Sequence, residues 1–335
     1  MKAPAGERKV YLDLLRIVAC ILVIFNHILV SVAQFRLHPL FWYLFAFSKM
    51  AVPLFVLVSG AVLLPKEDSY QKSFSRVLRI VLTLLLFTLL YYGRACVKEG
   101  IPFNFGKYFY LVYNDRATNA YWYLYLYLGI LLMLPMMQKL VRHFQSRDFR
   151  YLIFFSVIVM GVMPILTRWD ARFQYNDSIN TAIFSVYLGL LAAGYYLDAF
   201  VPYGTGKWIL AWLGAAGMTA LSARLCIHED SFAFYENCEL LNVTATAICC
   251  FYGVKWAMEK AKLPEGAARF LSACGRLTFC TYLLGDLLIE IILPLLPMED
   301  YTPLAAGLLT LLVFVCGMLL SALLTRVPLL KKLLS

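Results

Sequence analysis

Apolar stretches of about 20 residues recur from one end of this chain to the other, separated by short polar segments. They read as membrane spans at about 10–34, 41–64, 77–97, 120–138, 151–167, 181–199, 208–227, 238–258, 273–297 and 303–325. Each suits a hydrocarbon layer about 30 Å thick, with 151–167 at the short limit. Backbone N–H and C=O groups find no water in lipid, so a span of this length closes its hydrogen bonds within itself as a helix. The expected fold is all-α, a polytopic transmembrane helical bundle of about ten helices. The longest polar stretch, 98–119, is too short for a domain, and 168–180 and 228–237 are shorter still. Residues 1–335 therefore read as a single integral membrane domain with no separate soluble domain.

Composition agrees. The 335 residues are 62% hydrophobic and only 15% charged, against roughly 25% charged in soluble domains. A net charge of +10 raises the question of nucleic acid, but the placement of the cations answers it. Lysines and arginines crowd the segments that share a side with the N-terminus, among them Arg76, Arg79, Arg142, Arg276 and Lys332. The positive-inside rule explains this bias and places both termini in the cytoplasm. No nucleic-acid partner is expected. The nine cysteines have neither zinc-site nor disulfide-framework spacing, so no metal is expected. Cys226 and Cys238 could meet near an outer loop, but buried thiols are the default expectation. The Asn242-Val-Thr244 glycosylation pattern falls inside an apolar span and reads as chance.

The polar residues within the spans matter most. The first span carries Asp13, Arg16, Asn26 and His27. Eleven helical steps turn through about 1100°, so Arg16 and His27 return to within roughly 20° of one face, about 16 Å apart along the axis. An arginine at the centre of a span costs ~3 kcal/mol or more. Asp13, three residues before Arg16, is placed to pair with it. Histidine exchanges a proton near neutral pH and suits a general base. The plainer alternative is a polar face that joins helices by hydrogen bonds; Arg, Asp and His on one helix favour function.

Other candidates are weaker singly. Lys49 lies at roughly the depth of His27, where its charge would favour a neutral, basic imidazole; alternatively it snorkels to the outer surface. Ser59-Gly60 is a small pair that permits close backbone approach. Arg76 and Arg79 share a face at the start of the third span and suit a phosphorylated cytosolic ligand, or express only the positive-inside bias. Asn119-Ala-Tyr-Trp122-Tyr123-Leu opens the fourth span as an aromatic belt or as a sugar platform. Tyr282, Asp286 and Glu290, at i, i+4 and i+8, form a polar stripe whose carboxylates need partners such as Lys49 or Arg94, or line an acceptor site.

In order and spacing these segments resemble the acyltransferase 3 family of integral membrane O-acyltransferases, which includes O-acetyl- and succinyltransferases of bacterial surface polysaccharides. The resemblance covers nearly the whole chain. It rests on Tyr11-Leu-Asp-Leu-Leu-Arg16 leading to Asn26-His27, and on Val52-Pro-Leu-Phe-Val-Leu-Val-Ser-Gly60. Paired Arg76 and Arg79 follow. Then come Trp122-Tyr-Leu with Gly129 and Leu134-Pro135, and Ser272 through Thr278-Phe-Cys-Thr-Tyr-Leu-Leu284. Two departures stand out. Gly285, followed by Asp286, occupies a place where the family often has histidine, and Ala120 does so before Trp122.

The resemblance implies an enzyme that moves an acyl group, acetyl above all, from cytosolic acyl-CoA to a hydroxyl of a cell-surface or exported glycan. It implies the following roles: His27 and Arg16 catalytic, and Asp13, Asn26, Lys49, Ser59, Arg76, Arg79, Trp122, Tyr123, Tyr282, Asp286 and Glu290 on the substrates. It further implies no permanently bound cofactor, acetyl-CoA or another acyl-CoA as donor substrate, a glycan or lipid-linked saccharide acceptor, and the bacterial plasma membrane as location. Read from the residues without the family, a multi-spanning transporter exporting a glycan, lipid or small metabolite fits the spans and midplane charges equally well. A sensor or partner subunit without turnover fits less well, because Arg16 and His27 are both present.

Overall fold

The computed structural model describes residues 9–114, 116–173, 185–202, 204–229, 237–261, 263–296 and 301–334. Among them the regular elements are all helical: α1 (Val10–Ser31), α2 (Phe41–Ser48), α3 (Ala51–Leu63), α4 (Tyr70–Glu99), α5 (Phe105–Tyr113), α6 (Trp122–Arg142), α7 (Ser146–Ile153) and α8 (Met160–Trp169). They continue as α9 (Val186–Ala199), α10 (Thr205–Glu229), α11 (Leu241–Lys260), α12 (Glu265–Ile292), α13 (Pro303–Leu324) and α14 (Pro328–Leu334). A π-helical turn, Phe154–Val159, joins α7 to α8.

Eight helical segments among the described residues are long and apolar enough to cross a membrane: Val10–Ser31, Phe41–Leu63, Tyr70–Glu99, Asn119–Arg142, Ser146–Arg168, Gly206–Ile227, Glu265–Leu295 and Pro303–Leu324. The other two expected spans are helical but differ in kind. Residues 181–184 lie outside the described residues, and α9 has 14 residues, about 21 Å at 1.5 Å per residue. Helix α11 is long enough, but Asn242, Thr244, Thr246 and Lys255 make it more polar. All four are buried, and Asn242 Nδ2 donates to Ser222 Oγ at 2.5 Å. Polar groups bonded within protein lose little by leaving water, so α11 suits a position enclosed by other helices.

The second expected span, 41–64, breaks into α2 and α3 at Lys49–Met50. Pro53 explains the break: it has no N–H to offer the Lys49 carbonyl four residues earlier, and its ring crowds that oxygen. The carbonyl accepts from Cys238 Sγ at 3.8 Å instead. All nine cysteines are thiols, including Cys226 and Cys238, so no disulfide joins those two.

The chain clusters into two compact units: Met1–Glu67, Gln138–Arg276 and Asp300–Thr310, then Asp68–Met137, Leu277–Glu299 and Leu311–Ser335. In the first unit α3 and α9 pack backbone to backbone. A Cβ on Gly60 would lie 1.8 Å from the Leu191 carbonyl oxygen, and one on Gly194 would lie 1.9 Å from the Leu57 oxygen. These reciprocal glycines allow an approach that larger side chains forbid. Lys255 Nζ donates to the carbonyls of Leu197 and Asp198 at 2.6 and 2.9 Å, capping the C-terminus of α9 with a buried cation.

In the second unit α12 is tied to α4 and α6 through tyrosines. Tyr91 Oη donates to the Leu283 carbonyl at 3.1 Å and accepts from the Leu287 N–H at 2.8 Å. One hydroxyl thus bridges the two groups that an α-helical bond would join, a side-chain insertion of the kind that bends helices. Tyr121 Oη also donates to Leu283 O, at 3.1 Å.

Candidate functional site

Within the first unit, the opening of α1 is fixed residue by residue. Tyr11 Oη and Lys9 Nζ meet the Asp198 carboxylate at 2.5 and 2.6 Å. This joins the start of α1 to the end of α9. Two residues on, Asp13 is 1% exposed. Its carboxylate accepts from Arg16 Nη1 at 2.9 Å and from Ser272 Oγ of α12 at 3.0 Å. A Cβ on Gly275 would lie 2.7 Å from Asp13, so glycine there leaves the room the carboxylate fills. The pairing expected from the i, i+3 spacing is present. It also draws in Ser272, the first residue of the late Ser…Thr-Phe segment. Two segments that are remote in sequence therefore share one buried carboxylate.

Asp13 is accordingly a positioning residue for Arg16, whose side chain is 29% exposed. The pairing draws the guanidinium toward the N-terminal end of α1, away from His27. A base and an oxyanion donor must both lie within about 3 Å of the reacting group. Two residues about 16 Å apart along the axis do not meet that condition together. Arg16 and His27 thus lie at different levels of α1.

His27 is half-buried. Its neighbour Asn26 donates through Nδ2 to Ser48 Oγ at 2.7 Å, and Ser48 Oγ donates to the Phe45 carbonyl at 2.7 Å. This chain of bonds fixes the register of α1 against α2. Lys49 Nζ stands over the Phe45 ring, 4.6 Å from its centroid, a cation–π contact. Ser59 Oγ donates to the Phe55 carbonyl at 2.8 Å within its own helix.

The second unit holds the remaining candidates. Arg76 Nη1 donates to Asp68 Oδ2 at 2.5 Å, and Arg79 lies one turn further along α4, half-buried. At the far end of α4, Arg94 pairs with Glu290, the partner weighed from sequence. Asp286 accepts instead from the Thr118 hydroxyl. Tyr282 Oη donates to the Ala120 carbonyl. Tyr123 meets the Tyr282 ring edge-on at 6.0 Å and stacks on Tyr127 at 5.9 Å. Trp122 is half-buried. The stripe of α12 and the aromatic opening of α6 thus form one cluster, in which polar groups lie beside ring faces and edges.

Asp68, Thr118, Asp198 and Lys255 were not singled out from sequence. Asp198 and Lys255 carried a signal, a lone charge in an apolar stretch; Thr118 and Asp68 carried none, since each lies in an ordinary polar connection.

Helices of this length and apolarity, with an Asp13–Arg16 pair and a histidine set into the first of them, define a multi-pass membrane protein with polar groups inside its helices. The particular family follows from comparison: the family model described as an acyltransferase domain matches residues 9–326, and the chain belongs to the acyltransferase 3 family. Neither a curated protein nor a solved structure matches the chain. The protein is a membrane acyltransferase.

Proposed function

We propose that this acyltransferase takes an acyl group, acetyl above all, from cytosolic acyl-CoA and delivers it to a hydroxyl of a glycan or lipid-linked saccharide at the outer face of a bacterial plasma membrane. The observation that carries the reading is the arrangement on α1, an arginine anchored by a buried carboxylate and a half-buried histidine on the same helical face three turns further along. CoA is too charged to cross a bilayer, but its pantetheine arm is thin and long. Arg16 serves the donor arm, with Asp13 holding the guanidinium in place. Arg76 and Arg79 bind the donor's phosphates, as guanidinium groups suit.

His27 acts as general base on the acceptor. Its imidazole takes the hydroxyl proton as the acceptor oxygen attacks the thioester carbonyl. The C–O bond forms, the C–S bond breaks, and CoA leaves as the thiol once the imidazolium returns the proton. Lys49 supplies positive charge where the oxyanion develops. Tyr123, Trp122 and the Asp286–Thr118 pair suit a sugar, with ring faces for its C–H surface and polar groups for its hydroxyls. Asp286 follows Gly285, where family members often carry histidine, so a carboxylate takes the acceptor-side polar role.

Three results test the reading. Acetyl-CoA is expected to raise the melting temperature of the purified protein; no stabilisation by any acyl-CoA would favour a transporter. Arg79→Ala is expected to raise the KM for acyl-CoA about 10-fold, the worth of one charge-assisted bond. An effect confined to the acceptor would contradict that role. Asp13→Asn keeps the shape and removes the charge that orients Arg16. It is expected to raise the same KM by about 10-fold while the acceptor KM stays within 2-fold. A change in melting temperature with unaltered kinetics would make Asp13 a packing residue only.

A further inference from the structure

One buried carboxylate of the second unit has no part in the chemistry above. Asp68 lies immediately before Ser69, the N-cap of α4, whose side chain accepts from the Lys72 N–H at 3.3 Å. The Asp68 side chain is fully enclosed, while Lys72 is 60% exposed. Asp68 Oδ1 meets Lys72 Nζ at 2.8 Å and Oδ2 meets Arg76 Nη1 at 2.5 Å. One oxygen of the carboxylate thus accepts a hydrogen bond from Arg76, and the other lies within ion-pair distance of Lys72.

Helix geometry adds Arg79 to the same face. Steps of four and three residues turn through about 400° and 300°, so Lys72, Arg76 and Arg79 fall within about 60° of one another. Three cations thus share two turns of helix, and the Asp68 carboxylate is seated against two of them as a bound anion would be. A phosphate monoester carries about −1.5 to −2 charge and three acceptor oxygens. It therefore competes well for cations that a monoanionic carboxylate holds.

We propose that Asp68 is an internal counter-anion: it occupies the phosphate position on the Lys72–Arg76–Arg79 face and sets the affinity of the protein for phosphate-bearing donors. The proposal rests on the reading that this face receives acyl-CoA, and it adds Lys72 to the phosphate ligands. Donor binding displaces the carboxylate from its cations, and the carboxylate returns as CoA leaves. Without such a competitor the three cations would retain the CoA product, and release would limit turnover.

The test is equilibrium binding of CoA, dephospho-CoA and inorganic pyrophosphate to the purified full-length protein and to Asp68→Asn. CoA and pyrophosphate are expected to bind about 3- to 10-fold more tightly to the variant, with a smaller gain for dephospho-CoA, which lacks the terminal phosphate. In turnover, KM for acyl-CoA and kcat are expected to fall together, a pairing that loss of a purely structural contact does not produce. Asp68→Ser, also neutral and small enough for the position ahead of the N-cap, serves the same comparison where the asparagine variant folds poorly. Unchanged or weaker binding of both CoA and pyrophosphate, in a variant that melts like the parent, would overturn the proposal and leave the donor reading standing. Tighter pyrophosphate binding with no CoA binding to either protein would overturn the donor reading and leave an anion site.

Discussion

Replacing His27 with alanine is expected to reduce acyl transfer by about 100- to 10,000-fold, the usual contribution of a positioned general base, with the protein present in membranes at its normal level. The expectation follows from where His27 lies. The Asn26–Ser48 bond of 2.7 Å fixes this level of α1 without the imidazole, which is half-buried. Loss of the side chain therefore costs chemistry rather than fold. Labelled acetyl-CoA supplied to membranes containing either protein, followed by extraction of the acylated product, measures the effect. Transfer near the normal rate by His27→Ala would remove the base mechanism, whatever the fate of Arg16.

The second large effect is on stability. Gly60→Ala places a methyl group where the Leu191 carbonyl oxygen is only 1.8 Å away. The obstacle is backbone, so no rotamer change relieves it and α3 must move off α9. Overpacking of a core typically costs 1–3 kcal/mol, and a backbone clash at this distance belongs at about 3 kcal/mol or beyond. Gly194, against Leu57 O at 1.9 Å, is expected to behave alike. Gly217, with nothing within 4 Å of its added Cβ, is the control, and Gly217→Ala is expected to be neutral or slightly stabilising. Thermal unfolding in detergent, followed by loss of monodisperse protein, ranks the three. Equal melting of Gly60→Ala and Gly217→Ala would refute the close α3–α9 packing.

Much of this was legible in the sequence for identifiable reasons. Apolar length alone predicts spans, because lipid leaves the backbone no other partner, and the eight apolar helices follow it. The Asp13–Arg16 pair follows from helical spacing and the Ser59-Gly60 approach from side-chain size. What periodicity cannot supply is the identity of partners across the chain: Ser272 on Asp13, Gly194 opposite Gly60, Thr118 on Asp286. Each joins segments set apart by over a hundred residues, and a single sequence gives them no common pattern. The break at Lys49–Met50 was present in Pro53 but masked by the unbroken apolar run. Helix α11 read as an ordinary span because the length of a hydrophobic stretch does not distinguish lipid from protein surroundings; Lys255, capping α9, does.

The central claim, acyl delivery to a surface glycan through His27, is tested most directly by mass analysis of envelope glycans. The comparison uses cells lacking the gene and the same cells carrying either the natural protein or His27→Ala. Glycans from cells with the natural protein are predicted to carry an acyl increment, acetyl above all, that is missing both without the gene and with His27→Ala. Identical glycan masses in all three strains, or the increment restored by His27→Ala, would contradict the account.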